Sequence, residues 1–394
     1  MVLSLVGTAA ACSGSGASSS PGSVGSHPAS THATNPSAGG GSTGGSTPVA
    51  ATGTGSTSHP VGPAGGPVPA GFEPTDATFL SPSEGWAIGV APCGKPPCTS
   101  VVRTRDGGRT WVGIPAPRAE LQGLRFASES HGFAFAPEGP GNGQGSAGPA
   151  VYETTDGGAT WHPVALTEHT GIRDVEPGAD GTYGLTDYGA KPNYLEKFVN
   201  GRMQGVEGTQ LPTGDAQLAV HGSNEFVVAA RQGSRPTFLA VVGGAVRRSE
   251  PPCPTSTTAV AIAASGDRNV VVGCGEGPSA GQQRKTVVTT ADAGATWTTV
   301  GAPPSSGYLG SLAAVSSGTF LTGGRSPVLV TRNAGRTWTV SWNGSDNAES
   351  GDAGYHFVGF TDASHGVAIP ASVQKREIDL TDDGGRTWRV SRFR

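Results

Sequence analysis

One eight-residue phrase occurs five times in the chain, and each copy ends in tryptophan. The copies share the pattern Thr-x-Asp/Asn-x-Gly-x-Thr-Trp and occupy residues 104–111, 154–161, 290–297, 331–338 and 381–388. Each part suits a β-hairpin turn. The acid accepts hydrogen bonds from N–H groups of the turn, and the glycine can adopt a positive φ. Thr and Trp are residues that favour the strand that follows. A phrase that recurs at tens of residues indicates a stacked or radial repeat architecture.

The spacing of the five tryptophans predicts two further copies that have lost the phrase. Neighbouring copies lie 50, 41 and 50 residues apart, but Trp161 and Trp297 are separated by 136 residues, about three such steps. The pairs Asn200-Gly201 and Gly243-Gly244 are candidate remnants within this gap. The spacing therefore indicates seven units.

A second repeat gives the same count. A strand, a short polar turn and a second strand precede each phrase or remnant, and the second strand opens on an aromatic or apolar residue. Those residues recur every 43–50 positions, at Trp86, Phe133, Tyr183, Phe226, Val270, Phe320 and Val367. Four-stranded blades have this length. The sequence thus predicts an all-β chain whose residues 73–394 form a single seven-bladed β-propeller of four-stranded antiparallel blades.

The N-terminal region predicts export. Residues 1–12 are small and apolar and end at Cys12, a pattern that resembles a bacterial lipobox whose cysteine is lipidated. A cleaved signal peptide without lipid is the alternative. Residues 13–72 are rich in Gly, Ser, Thr and Pro and contain almost no charge, so they predict a disordered linker. Such a tether has a root-mean-square reach of roughly 40 Å.

The remaining four cysteines predict two disulfides. Cys93 and Cys98 bracket a turn in the first blade, and Cys253 and Cys274 flank the first two strands of the fifth. In an exported protein such pairs are typical of disulfides rather than metal ligands. The spacing of the histidines favours no metal site either, and no cofactor is expected.

The charge distribution limits the classes of molecule that the protein is expected to bind. The net charge is −4, with 26 basic and 30 acidic residues and no block of one sign, which disfavours nucleic acid. We expect a monomer that contacts a membrane only through its lipid anchor and that binds a protein or carbohydrate.

The predicted geometry separates two faces. The turns between first and second strands and between third and fourth strands share one, the turn face. The longer connections share the other, the loop-rich face, where binding is expected. Arg125 and Arg173 are predicted to match in position near the starts of innermost strands and to form a cationic patch for a carboxylate. Arginines solvated at strand ends are the alternative.

The segment 341–355 is the second candidate site. Trp342, Asp346, Tyr355 and His356 combine aromatic rings with acids, which suits sugar stacking and glycosidic hydrolysis. A solvated loop with one packed tryptophan is the alternative.

The repeated phrase resembles the Asp-box, or BNR repeat. The resemblance assigns a structural role to its acid, or amide, and its tryptophan, at Asp106, Trp111, Asp156, Trp161, Asp292, Trp297, Asn333, Trp338, Asp383 and Trp388. Sialidases share these turns, but the Arg-Ile-Pro motif of their first blade is missing from 73–80.

The stretch 79–89 with the first phrase is similar to photosystem II stability/assembly factors. That family implies a single-propeller binding scaffold with a cationic patch near the channel. The start of the chain and its preference for Arg over Lys look like an actinobacterial cell-surface lipoprotein.

Three functions follow from these patterns. The first is a non-enzymatic surface propeller, secreted or lipid-anchored outside the cell membrane, that binds a protein or glycan at the loop-rich face. The second is a sialidase-like or other exo-glycosidase with acids from the segment 341–355 or the channel mouth. The third is a purely structural envelope lipoprotein.

Overall fold

A computed structural model shows a seven-bladed β-propeller, as the two repeat counts predict. It describes most of the chain from residue 62 onward, namely residues 62–93, 98–117, 121, 123–136, 151–166, 172–186, 192–278, 282–304, 307–324, 326–344, 354–372 and 375–393. This part of the chain forms 29 strands. None of its segments is a helix of the length and apolarity that crossing a membrane requires.

The first three blades follow one another without exchanging strands. Blade 1 consists of β1 (Glu73–Phe79), β2 (Gly85–Val90), β3 (Thr99–Thr104) and β4 (Val112–Ile114). Blade 2 consists of β5 (Gly123–Phe126), β6 (Gly132–Phe135), β7 (Val151–Thr154) and β8 (His162–Pro163). Blade 3 has a fifth, outermost strand and consists of β9 (Ala165–Leu166), β10 (Ile172–Gly178), β11 (Gly181–Thr186), β12 (Leu195–Val199) and β13 (Arg202–Gly205).

The other four blades repeat the same antiparallel order. Blade 4 consists of β14 (Ala216–His221), β15 (Asn224–Ala229), β16 (Thr237–Val242) and β17 (Ala245–Ser249), and blade 5 of β18 (Thr257–Ala264), β19 (Val270–Glu276), β20 (Lys285–Thr290) and β21 (Thr298–Val300). Blade 6 consists of β22 (Leu312–Ser316), β23 (Thr319–Gly324), β24 (Ser326–Thr331) and β25 (Thr339–Trp342), and blade 7 of β26 (Tyr355–Phe360), β27 (Gly366–Pro370), β28 (Glu377–Thr381) and β29 (Arg389–Arg392).

The repeated phrase forms the turn between the third and fourth strands of five blades. In blade 1, Asp106 Oδ1 accepts the N–H of Thr110 at 2.8 Å and Oδ2 accepts its hydroxyl at 2.6 Å. The Thr104 hydroxyl accepts the N–H of Gly108 at 2.7 Å. The main-chain bond to the side-chain oxygen recurs in the other four copies. In the copy where Asn333 replaces the acid, its Nδ2 donates to the Thr337 hydroxyl at 2.9 Å, so that bond runs in the opposite direction. The conserved chemistry of the phrase therefore closes the turn itself.

Each of the five tryptophans binds its blade to the preceding one. Trp161 Nε1 donates to Pro115 O at 3.0 Å, and Trp338 Nε1 to Gly301 O at 2.7 Å. Trp297 and Trp388 donate instead to serine hydroxyls on the outer strands of blades 4 and 6. Since all five indoles are half-buried, the phrase contributes a packed ring and a directional bond to each blade junction.

Blades 3 and 4 carry short hairpins where the phrase is missing. Asn200-Gly201 joins β12 to β13, and Gly243-Gly244 joins β16 to β17. All four residues have positive φ, between 51° and 79°. A two-residue hairpin requires this conformation. The two remnants predicted from the spacing therefore lie at the turns where the count places them.

Polar side chains join the innermost strands across blade boundaries. Asp76 Oδ2 accepts the Leu124 N–H at 3.0 Å, and Asp215 Oδ2 accepts the Val260 N–H at 2.9 Å. Ser311 Oγ accepts the Val358 N–H at 2.7 Å. These bonds satisfy main-chain donors that face the neighbouring blade rather than their own sheet.

The ring closes by packing between blades 7 and 1. The Phe72 and Phe393 rings meet edge to face with centroids 4.9 Å apart. Trp111 Nε1 donates to Ser391 Oγ at 2.9 Å, and that hydroxyl donates to Gly108 O at 2.6 Å. The closure thus uses the same tryptophan contact as the other junctions, together with an apolar cluster from both blades.

The last part of the predicted linker belongs to the folded unit. Residues 62–72, placed by composition in the linker 13–72, pack on blade 1, and we call this segment the strap. Gly66 and Gly113 exchange two main-chain hydrogen bonds of 2.8 and 2.9 Å, and Phe72 is fully buried. Gly62 lies against the Gly157 main chain on the turn face, whereas Gly71 lies near Pro92 on the loop-rich face. Composition missed the strap because its residues before Phe72 are mostly small or proline, and contacts such as those of Gly66 are made by main chain.

Both predicted disulfides are present. Cys93 pairs with Cys98 across the connection between β2 and β3, and Cys253 pairs with Cys274 across the first two strands of blade 5. The first bond joins residues five positions apart, whereas the second joins residues 21 positions apart, one before β18 and one within β19. Residues 1–61 lie outside the described part of the chain, and Cys12 lies with them.

The Trp111 contacts predict the cost of weakening the closure. Trp111→Ala should lower the free energy of unfolding by about 2–3 kcal/mol, below the loss for a fully buried aromatic, because the ring is half-buried. Trp111→Phe keeps a ring, loses the bond to Ser391 and should cost about 1 kcal/mol. Urea unfolding measures both. Equal losses for the two variants would contradict a contribution from ring burial.

Candidate functional site

The structure divides the predicted site residues among three places. Trp342 and Tyr355 come together at the junction of blades 6 and 7. Arg125 and Arg173 lie on the inner strands of blades 2 and 3, and His356 lies where blade 7 meets blade 1. Asp346 lies outside the described residues, so its predicted role stays a prediction.

Arg125 is locked in a buried ion cluster inside the channel. It is 3% exposed, and its guanidinium contacts Asp76 Oδ2 at 2.5 Å and Glu176 Oε1 at 2.8 Å. Asp76 and Glu176 are completely buried. The prediction that Arg125 presents a free cation to a ligand is therefore wrong, because two carboxylates from the flanking blades already occupy its donors.

The strand register explains why the predicted pair of arginines does not form. Arg125 lies opposite Phe133 in blade 2, and Glu176 lies opposite Tyr183 in blade 3. Glu176 is thus the counterpart of Arg125, and Arg173 lies three residues nearer the loop-rich face. Arg173 occupies an irregularity in the β10–β11 register between Ile172 and Asp174, which the sequence repeat does not show.

The carboxyl groups around Arg125 outnumber the basic groups. Asp174, 1% exposed, is the third carboxylate in the cluster, and its pKa is raised well above the usual value by burial and by the charge of Glu176. The three acids in turn strengthen protonation of Arg125 and raise its pKa despite its burial. The inner channel therefore has acidic rather than cationic character, contrary to the expected patch.

Arg173 is the arginine nearer to solvent. Its side chain is 26% exposed, and Nη1 lies 3.5 Å from Asp215 Oδ1. Asp215 in turn accepts the Val260 N–H of blade 5. Arg173 therefore links three blades at the loop-rich end of the channel, and its part in binding stays a prediction.

A hydrogen-bonded cluster fixes Trp342 at the edge of the loop-rich face. Asp379 Oδ2 accepts Trp342 Nε1 at 2.7 Å and the Tyr355 hydroxyl at 2.6 Å. Asp379 and Tyr355 are buried, whereas the indole is half-buried. Burial raises the pKa of both the Asp379 carboxyl and the Tyr355 phenol. The cluster thus fixes the orientation of an aromatic ring that is only partly buried.

His356 is part of the closure between blades 7 and 1. Nε2 lies 2.8 Å from Thr75 O and Nδ1 lies 3.1 Å from Pro370 O. Burial lowers the pKa of the imidazole. Because both ring nitrogens face main-chain carbonyls, the prediction that His356 presents its ring to a ligand is wrong.

Sequence reasoning missed the acids of both clusters. Asp76 and Glu176 lie on inner strands, three and two residues before the strands end at Phe79 and Gly178. An acid at this place in an inner strand is the available sequence signal. Asp379 follows no such rule, because its position under Trp342 depends on how blades 6 and 7 meet. Within the described ranges, no group of three or more His, Cys, Asp or Glu residues is arranged to hold a metal ion.

Comparison with known proteins supports the fold. No family model and no curated protein matches the sequence. The structure of YCF48 bound to a D1 peptide matches with a TM-score of 0.52 and 16% identity, over 83% of this chain and 93% of that one. Virginiamycin B lyase from Staphylococcus aureus matches with a TM-score of 0.52 and 11% identity, over 76% and 92%. A GH74 enzyme from Niastella koreensis reaches only 0.34 at 12% identity, over 79% and 55%.

These likenesses define the class of protein. The chain is a seven-bladed β-propeller, and the fold expected from the resemblance to photosystem II stability/assembly factors is confirmed. At 16% identity or less the matches concern the fold alone, and the propellers that share it include a peptide-bound protein and a lyase.

The buried cluster predicts a pH-dependent cost for removing Arg125. Arg125→Met should lower the free energy of unfolding at pH 7 by about 3–5 kcal/mol, because Asp76 and Glu176 lose their counter-ion. This unpaired negative charge is a cost of the folded state alone, so the deficit should shrink as the pH falls toward 5. Denaturant unfolding at both pH values measures this. A deficit that is constant with pH would show that lost packing, not unpaired charge, is responsible.

Proposed function

We propose that this protein is a non-enzymatic binding propeller that holds a segment of another protein at the loop-rich face. The observation that carries the proposal is the indole of Trp342, which is held by its hydrogen bond to Asp379. Rigid, half-exposed tryptophans are typical anchors of protein interfaces. Asp379 fixes the ring from below, so that little side-chain freedom is lost when a partner packs on it.

The burial and hydrogen bonding of the inner carboxylates favour a binding protein over a hydrolase. A glycosidase requires two acids within about 10 Å that reach the substrate. Asp76, Asp174, Glu176 and Asp379 are at most 1% exposed. Asp76, Glu176 and Asp379 are also engaged by Arg125, Trp342 or Tyr355. Acids sealed in this way do not contact a sugar, so these four do not supply the catalytic pair of a glycosidase.

A protein ligand is favoured over a carbohydrate. The fold is shared with YCF48, which was solved with a D1 peptide bound. We infer that an extended segment with an apolar side chain for the indole of Trp342 fits this edge.

Export and anchoring complete the proposal. Two disulfides suit an oxidising environment outside the cytoplasm. Lipidation of Cys12 then places the propeller on the outer side of the membrane, at the end of the linker.

Trp342→Ala should weaken binding of the best ligand from a peptide array by about 30-fold, equivalent to about 2 kcal/mol at a hot spot. The full chain is screened on peptide and glycan arrays and then titrated with the ligand found. Val340→Ala is the control, because Val340 is exposed on the same strand. Turnover of a fluorogenic glycoside panel would overturn the proposal, and a chain that binds nothing on either array would support a purely structural role.

Cys12→Ala should release the protein from the membrane. In detergent phase separation of cells that express the full chain, the wild type should enter the detergent phase and the variant the aqueous phase, because one or two acyl chains supply the membrane affinity. Equal partitioning of both proteins into the aqueous phase would show a cleaved, unlipidated signal peptide.

A further inference from the structure

The outermost strand of blade 4 has an uncovered edge. β17 (Ala245–Ser249) is the longest strand at an outer edge in the described part of the chain, and within that part it pairs only with β16. Residues 245–248 are all exposed. Val246, at 39%, is one of two large apolar side chains that are exposed among the described residues. We call this strand and its outer side the blade 4 edge, and an edge of this kind is a template to which another strand can be added.

The strand register identifies the main-chain groups that point away from the blade. Val242 and Ala245 flank the two-residue hairpin and lie opposite each other. Residues in this position form a hydrogen-bonded pair, and such pairs alternate with open ones along an antiparallel ladder. The N–H and C=O groups of Ala245 and Arg247 therefore bond to β16, whereas those of Val246 and Arg248 point outward. The edge thus offers two main-chain donors and two acceptors.

Two other blades show that an outer strand of this propeller accepts an added segment. In blade 1 the strap pairs with β4 through two main-chain bonds between Gly66 and Gly113. In blade 3 the short strand β9 pairs in parallel with β13, where Ala165 is matched with Arg202. Both segments are attached through their main chain, and within the described ranges blade 4 has no counterpart of either.

Two arginines give the blade 4 edge a positive charge. Side chains alternate along a strand, so Arg247 and Arg248 lie on opposite faces of it. Arg248 donates to Gly208 O at 2.5 Å and to Gln210 O at 2.6 Å. Arg247 donates to Asp292 O at 3.3 Å. Both are exposed, and no carboxylate among the described residues lies within ion-pair distance of either. The carbonyl groups orient the guanidiniums without neutralising them, and each guanidinium keeps further N–H donors.

We propose that the blade 4 edge binds an extended, acidic segment of another protein as an added β-strand. Main-chain bonds to Val246 and Arg248 fix the segment, and two consecutive acidic residues place one carboxylate beside each arginine. A second copy of the same edge is disfavoured, because like charges would meet. Residues 13–61 contain no Asp or Glu, so the N-terminal segment of the chain itself does not match the charge. The site is separate from Trp342 and does not depend on the function proposed for it.

The experiment combines calorimetric titration with amide hydrogen exchange of the full chain. The probe is an acetylated hexapeptide amide, Thr-Val-Glu-Glu-Val-Thr, and the control peptide has glutamine in place of both glutamates. At low ionic strength the acidic peptide should bind about tenfold more tightly than the control, because it gains two exposed charge pairs. Equal affinities of the two peptides would overturn the proposal.

Hydrogen exchange tests whether the peptide is added as a strand. Binding should slow the exchange of the Val246 and Arg248 amides, while the Ala245 and Arg247 amides, already bonded within the blade, should change little. Binding that leaves the Val246 and Arg248 amides unprotected would contradict the proposal. So would slow exchange of these two amides in the free protein, because a segment of the same chain or a second copy would then already cover the edge.

Variants of the edge separate the main-chain contribution from the charge. Val246→Pro removes an outward N–H but no bond to β16, and it should weaken binding about fivefold, whereas Val246→Ala keeps the N–H and should bind nearly as tightly as the wild type. The double variant Arg247→Ser, Arg248→Ser should lose the preference for the acidic peptide. Arg202→Ser is the matched control, because Arg202 is an exposed arginine on an outer strand that β9 already covers. Equal binding by the two Val246 variants, or a preference retained by the double variant, would overturn the proposal.

Discussion

The contact between each turn tryptophan and the blade before it is the interaction on which the architecture depends. A blade buries only part of its surface in its own sheet, so its stability depends on its neighbours. The indole supplies area, and its N–H fixes the angle at which the outer strands meet, as Trp161 does at Pro115 and Trp338 at Gly301. The same contact, from Trp111 to Ser391, closes the ring without strand exchange. Blades 3 and 4 lack this contact, because two-residue hairpins replace the turn phrase in both.

Most of the fold was predictable because its determinants are local. The Thr-x-Asp turn closes through bonds within eight residues, as between Asp106 and Thr110, so its sequence pattern and its geometry coincide. The length of a blade and the number of blades follow from the spacing of the repeated tryptophans. The hairpins at Asn200-Gly201 and Gly243-Gly244 follow from the gap between Trp161 and Trp297. The strap escaped prediction because Gly66 contributes only main-chain bonds, which any residue can make.

The site was predictable only in part because its contacts join distant segments. The sequence predicts a site with Trp342 and Tyr355, but Asp379, which binds both side chains, is contributed by another strand. The sequence predicts a cationic patch at Arg125 because its partners, Asp76 and Glu176, are each about 50 residues away in sequence. Whether a charged side chain on an inner strand is free depends on the residues that face it from both neighbouring blades. Which residues face it depends on irregularities in strand register, such as the one at Arg173.

The strap has a mechanical consequence. The chain enters the propeller at the turn face beside Gly157 and reaches the first strand only after Phe72. A pulling force from the N-terminal side is therefore borne first by two hydrogen bonds between Gly66 and Gly113, and then by the buried Phe72 ring. The contacts of the strap would therefore break before the sheet of blade 1 is loaded.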